Sequence, residues 1–112
     1  MAPRFTIRMS YAFAEDMYGI RATERRRIHG HIGKTLEFGA LTLVEGQREP
    51  VKEPVPDGIR QRVEAVLQGG QVWSLHVGRY RVLYAVEGQT VHVVAVGDKD
   101  RKTLAGTFPD LE

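Results

Sequence analysis

Cysteine is absent from the 112 residues, and tryptophan occurs once. Without thiols there is no disulfide framework and no thiolate metal site, which fits a reducing compartment. No apolar run approaches the roughly 18 to 20 residues needed to cross a membrane. Met1-Ala2-Pro3-Arg4 leads straight into alternating Phe5, Ile7 and Met9, unlike a secretory signal peptide. A cytoplasmic location with no membrane partner is therefore expected. Glycine-rich phosphate loops are missing, and Ser74 sits in Trp-Ser-Leu rather than in a Gly-x-Ser-x-Gly elbow. His29 and His31 are two apart, so a helix would face them differently and they cannot form a metal pair. Neither a metal nor a cofactor is expected.

What is present reads as one ordinary globular domain over residues 1–112, with 42% hydrophobic and 27% charged residues and no low-complexity tract. The net charge is only +2, yet the pI is about 9.2 and the charge is uneven. Arg21, Arg25, Arg26, Arg27 and Lys34 crowd one segment together with His29 and His31, and Arg79, Arg81, Lys99, Arg101 and Lys102 form a second set. Such clustering suits a polyanion or an acidic protein partner. Taken alone, the first cluster reads as the solvated face of a helix.

Residues 4–9 alternate with period two, the pattern of a strand with one buried face. Ser10 is placed to cap a helix carrying Phe13, Met17 and Ile20. Thr23 is placed to cap a second, whose Ile28, Ile32 and Leu36 recur every four residues. Gly30 and Gly33 weaken that second helix by up to about 1 kcal/mol each relative to alanine. From residue 39 to 58 the pattern is irregular, and Pro50, Pro54 and Pro56 exclude a helix interior. Asp57 then caps a short helix, at about 58–68, bearing Ile59, Val63, Val66 and Leu67 and ended by Gly69-Gly70. Three strands follow, starting at Trp73, Tyr80 and Thr90. Gly78-Arg79 makes a type II′ turn between the first two, and Glu87-Gly88 or Gly88-Gln89 the next. The fold class is α+β: a strand, a helical hairpin, then an antiparallel β-meander packed on the helices. The middle strand is apolar on both faces from Tyr80 to Val86 except at Arg81, as in a central strand. A guanidinium there needs a partner, either an anionic ligand or a glutamate of the same chain.

Trp73-Ser-Leu-His-Val-Gly-Arg-Tyr-Arg-Val-Leu-Tyr84, a short hairpin, and Val91-His-Val-Val-Ala-Val-Gly-Asp-Lys99 together resemble the RelE/ParE superfamily of toxin–antitoxin toxins. Upstream, the strand and two helices of residues 4–38 fit the same fold, and Gln47 to Lys52 resembles the basic segment before the family's central sheet. Residues 57–70 look like an inserted helix. In the ribosome-dependent RNases of the family a tyrosine follows the last strand; here the matching position falls near Ala105, and Lys99 stands where those enzymes commonly place arginine.

The resemblance implies a type II toxin that cleaves mRNA on the ribosome and so inhibits translation. A ParE-type poison of DNA gyrase without nuclease activity and an inactive binding module of the same fold are the alternatives. Either way a cognate antitoxin, small and acidic, is implied as partner. For the RNase, transesterification needs a deprotonated 2′-OH, a stabilised phosphorane and a protonated leaving oxygen. By similarity Arg81 would hold the scissile phosphate, with Lys99 and Arg101 sharing its charge and Lys52 in the upstream basic role. Arg48, Arg79 and Lys102 would bind RNA. The proton donor would be His76 or His92, since imidazole titrates near neutrality. Trp73 and the tyrosines, given their place in apolar strands, read as core rather than as platforms for stacked bases.

Overall fold

The computed structural model describes residues 4–98 and 103–111. The alternation at the N-terminus yields β1 (Thr6–Met9), and Ser10 caps α1 (Tyr11–Tyr18) by accepting a hydrogen bond from the Phe13 N–H at 3.1 Å. The second helix, α2 (Ala22–Gly39), starts two residues earlier than expected, with Arg21 at the cap position and no side-chain cap bond. Thr23 therefore lies inside it. Likewise Pro56 precedes α3 (Asp57–Glu64), and Asp57 is its first residue, where the carboxylate suits the helix dipole without capping. This helix stops at Glu64, and the remaining residues to Gly69-Gly70 form turns, with both glycines at positive φ.

Between α2 and α3 lies β2 (Arg48–Pro50), a strand that the sequence pattern does not announce. The meander is as expected: β3 (Val72–Val77), β4 (Tyr80–Glu87) and β5 (Thr90–Asp98), linked by Gly78-Arg79 and Gly88-Gln89. Gly78 has φ of 58° and Arg79 a negative φ, as a glycine-first hairpin turn requires. A short helix, α4 (Leu104–Thr107), and a 3-10 turn (Pro109–Leu111) close the described chain. The sheet order is β1-β5-β4-β3-β2, antiparallel except for the parallel pair β1–β5.

The sheet is covered on both faces. Trp73, Leu75, Val82, Tyr84, Val91 and Val93 point toward α1 and α2, meeting Phe13, Met17, Ile28, Ile32 and Leu36. Val72, Leu83, Ala85 and Val94 point the other way, onto Ile59 and Val63 of α3 and Leu104 and Phe108 of the C-terminal segment. The extra helix is thus half of the second core. That segment lies so close to β5 that a Cβ on Gly97 would fall 2.9 Å from Phe108 Cε1 and from the Thr107 carbonyl oxygen.

β5 outruns its neighbour. Its pairing with β1 ends at Val93, whose carbonyl accepts from the Ser10 N–H at 3.0 Å. Beyond it the edge is closed by side chains from opposite faces of the sheet. The Asp16 carboxylate of α1 accepts from the Val96 N–H at 3.2 Å, while Arg62 of α3 donates to the Val94 carbonyl at 3.0 Å. The two side chains pair with each other at 2.7 and 3.3 Å, each about one-fifth exposed. At the other end of the sheet, Tyr84 stacks on Trp73 with centroids 6.1 Å apart and donates its hydroxyl to the Ala40 carbonyl at 2.7 Å. Burial pushes that phenol well above its usual pKa. The one tryptophan and this tyrosine are core, as the sequence reading holds.

Two substitutions test this account. Asp16→Ala strands Arg62 and the Val96 N–H together and is expected to cost about 2–4 kcal/mol in urea unfolding. Cβ atoms at Gly30 and Gly33 would meet nothing within 4 Å. Gly30→Ala with Gly33→Ala should therefore raise stability by about 1–2 kcal/mol in the same assay.

Candidate functional site

Strand alternation sets Arg81 on the α3 face of the sheet, and the antiparallel register brings His76 opposite it, with Ser74 two residues away along β3. The segment that follows β2 folds back over these residues. The result is a cleft of about 490 Å³ lined by Lys52, Glu53, Ser74, His76 and Arg81, with Glu45 and Glu49 among the residues around it. Three of the five expected catalytic residues, Arg81, Lys52 and His76, thus converge. The other two, Lys99 and Arg101, lie outside the described residues, as does Lys102.

Arg81 is not waiting empty-handed. Its Nη1 lies 3.4 Å from Glu53 Oε1, a long contact between a side chain 12% exposed and one 36% exposed. The same Glu53 oxygen accepts from the Leu104 N–H at 3.1 Å, at the start of α4, where no helical carbonyl can serve that donor. Thr103 completes this cap by accepting from the Gly106 N–H at 3.0 Å. Meanwhile the Nε of Arg81 and the Oγ of Ser74 are buried and have no hydrogen-bond partner among the described residues. Ser74 is only 7% exposed. Two orphaned polar groups at one cleft floor are an unusual expense for so small a protein, since each costs about 1–3 kcal/mol.

Two of the expected RNA-binding arginines are engaged elsewhere. Arg48 donates from Nε to the Thr42 carbonyl at 2.7 Å and from Nη1 to the Thr35 carbonyl at 3.2 Å, its guanidinium lying over Gly39. It ties down the C-terminal end of α2. Arg79, at the β3–β4 turn, pairs with Asp98, with Nε at 3.0 Å, and its guanidinium lies 5.8 Å from the Tyr80 ring centroid. His92 sits across from Arg8 and Ala85, four positions along β4 from Arg81 and so about 13 Å from it at 3.3 Å per residue. It lines a separate pocket with Arg8, Met9, Ser10 and Val66. Of the two candidate histidines, only His76 faces Arg81.

The α2 cluster is largely exposed, with the imidazole of His31 held below its usual pKa by partial burial and then by the nearby charges of Arg27, Lys34 and Arg48. Among the described residues no group of three or more histidines and carboxylates is placed to hold a metal ion, and no helix is long and apolar enough to cross a membrane.

Residues 7–103 match the family model of the ParE toxin of the type II toxin–antitoxin system parDE. The chain belongs to the ParE toxin family. No curated protein matches its sequence significantly. Solved structures that share its fold include two toxin–antitoxin complexes. One, a RelBE toxin–antitoxin complex of Mycobacterium tuberculosis, aligns with a TM-score of 0.64 at 16% identity, over 90% of this chain and 98% of that chain. The other, an archaeal RelE–RelB complex from Pyrococcus horikoshii, has a TM-score of 0.62 at 11% identity, over 88% and 98%. The RelE-like fold read from the tryptophan strand and the Gly-x-Tyr-Arg-Val turn is therefore the fold of this ParE-family toxin.

Sequence reasoning missed Glu53 and Ser74. Neither stands out in pattern; only the register of β3 against β4 and the return of the β2 segment bring them to Arg81. Their arrangement yields a prediction about stability. The 3.4 Å contact with a one-third-exposed carboxylate is weak, and the Nε orphan works against it. Arg81→Met keeps the packed stem and removes both terms, so its urea midpoint should correspond to a change of less than about 1 kcal/mol. A loss above about 3 kcal/mol would make Arg81 a structural residue.

Proposed function

We propose that this toxin acts by protein contact, as a poison of DNA gyrase, rather than by cutting RNA. What carries the reading is the charge around the cleft. Among the described residues, Glu45, Glu49 and Glu53 stand against Lys52 and Arg81, three carboxylates to two cations. A phosphorane needs an excess of positive charge in its immediate surroundings, and RNA would bring further phosphates past the same rim. Mixed charge around one guanidinium suits a protein surface, where single ion pairs give specificity. The match to the ParE model supports the same side. The position near Ala105, where the ribosome-dependent enzymes carry tyrosine, adds to it.

One observation favours ribosome-associated mRNA cleavage instead. Lys52, His76 and Arg81 line a single cleft, a set able to supply base, acid and phosphate clamp. A small acidic antitoxin is proposed as the cognate partner on either reading, because the exposed arginines of α2 offer it complementary charge.

Brief expression in bacteria separates the two activities. Relaxed or broken plasmid with intact transcripts is the expected result, abolished by Arg81→Met and relieved by co-expression of the adjacent small reading frame. New 5′ ends inside translated regions, with supercoiling unchanged, would overturn the proposal. In that event Lys52→Ala or His76→Ala should slow cleavage on the order of 10- to 1,000-fold.

A further inference from the structure

The Arg81 cleft is incomplete in a specific way. Its floor holds a guanidinium whose Nε is buried without an acceptor and a serine hydroxyl in the same condition. Both are donors, and together with Lys52 and His76 they describe a receptor for an oxyanion. What stands at that receptor is Glu53, and it fits poorly. It reaches Arg81 at one terminal nitrogen, at 3.4 Å, while the same oxygen is held at 3.1 Å by the Leu104 N–H. A carboxylate free of that second tie can approach the fork side-on and take two of its N–H groups at once, which is the strong geometry for this pair.

We propose that Glu53 is an internal competitor for Arg81, and that an aspartate or glutamate side chain of the protein partner displaces it from the cleft. This rests on reading the cleft as a protein contact site and adds what the partner must present there: one projecting carboxylate. The rim, as far as the described residues form it, favours one carboxylate over a polyphosphate chain. Glu45 and Glu49 repel continuous negative charge, whereas a lone acidic side chain flanked by neutral or basic residues passes them. Displacement has a consequence elsewhere. When Glu53 turns away, the Leu104 N–H loses its acceptor and the first turn of α4 loosens, so occupancy of the cleft is coupled to protection of one amide on the opposite side of Glu53.

The test is independent of toxicity and of the identity of the target. The full chain, labelled for NMR, is titrated with N-acetylglutamate methylamide, which carries a single side-chain carboxylate, while the Arg81 Nε–H resonance and hydrogen exchange at the Leu104 amide are followed. The expected result is a saturable shift of Nε–H with a parallel rise in Leu104 exchange. In Glu53→Gln the competitor's charge is gone but an acceptor for Leu104 remains. Its shift should saturate at about tenfold lower probe concentration, with Leu104 exchange now independent of the probe. Should that variant fail to fold, the wild-type coupling alone decides. A shift at Arg81 with Leu104 still protected overturns the proposal, as does an equal midpoint in the folded variant. A response to a trinucleotide of RNA but not to the carboxylate also overturns it, and would point to a phosphate site. If the carboxylate behaves as expected and gyrase is untouched in cells, the target assignment fails while the competitor stands.

Discussion

The free edge of β5 is the constraint on which the architecture depends. A strand that outruns its partner exposes N–H and C=O groups that must find acceptors and donors or pay a desolvation cost. Here the Val94 carbonyl and the Val96 N–H are met by Arg62 and Asp16, one from each side of the sheet, and these two meet each other. α1 and α3 belong to different cores, so this pair is the clasp that fixes the two layers to the same strand. It also ties down β5 where its register against β4 shifts, between Val93 and Ala95, close to the stretch that flanks Arg81.

The parts of the fold carried by strong periodicity were legible from residues alone. The meander, its glycine-led turns and the buried stripe of α2 all follow from apolar spacing, which tertiary packing reinforces. The caps at Thr23 and Asp57 were misplaced by one or two residues because any small polar side chain near a helix start competes for the role, and the backbone at Arg21 and Pro56 already entered the helix without one. β2 escaped notice for a different reason. Arg48-Glu49-Pro50 has no apolar alternation, and it becomes a strand only because β3 offers it backbone partners. The same applies to Arg48. A basic residue before a central sheet looks like a ligand contact, whereas its forked donors serve the carbonyls at the end of α2.

Around Arg81 the molecule departs from the logic of its core. Among the described residues three buried side-chain polar atoms go without a partner, His92 Nε2 and two at this cleft, where the nearest carboxylate divides itself between a side chain and a helix terminus. The local cost is tolerable in a domain held by two apolar cores. Such an imbalance concentrates at places kept for contact with something else. Of the basic residues that stood out in sequence, Arg48 and Arg79 are tied into the fold while Arg21, Arg26 and Lys34 stand exposed, so charge density alone was a poor guide to the site.

The parallel pairing of β1 with β5 carries a further consequence, in time rather than space. The partners of Thr6–Met9 are residues 90–93, so the first strand of the chain has no place in the sheet until nearly all of it exists. Helices α1 and α2 can form earlier, from local contacts, but the sheet face they cover is completed last. Contacts of such wide sequence separation slow folding, because the loop between them must be closed before the pairing rewards it. A chain cut short before Thr90 would leave β4 as a sheet edge and β1 unpaired. The residues that line the Arg81 cleft, from Leu43 to Arg81, all precede Thr90, so the site's own strands are made before the pairing that closes the sheet behind them.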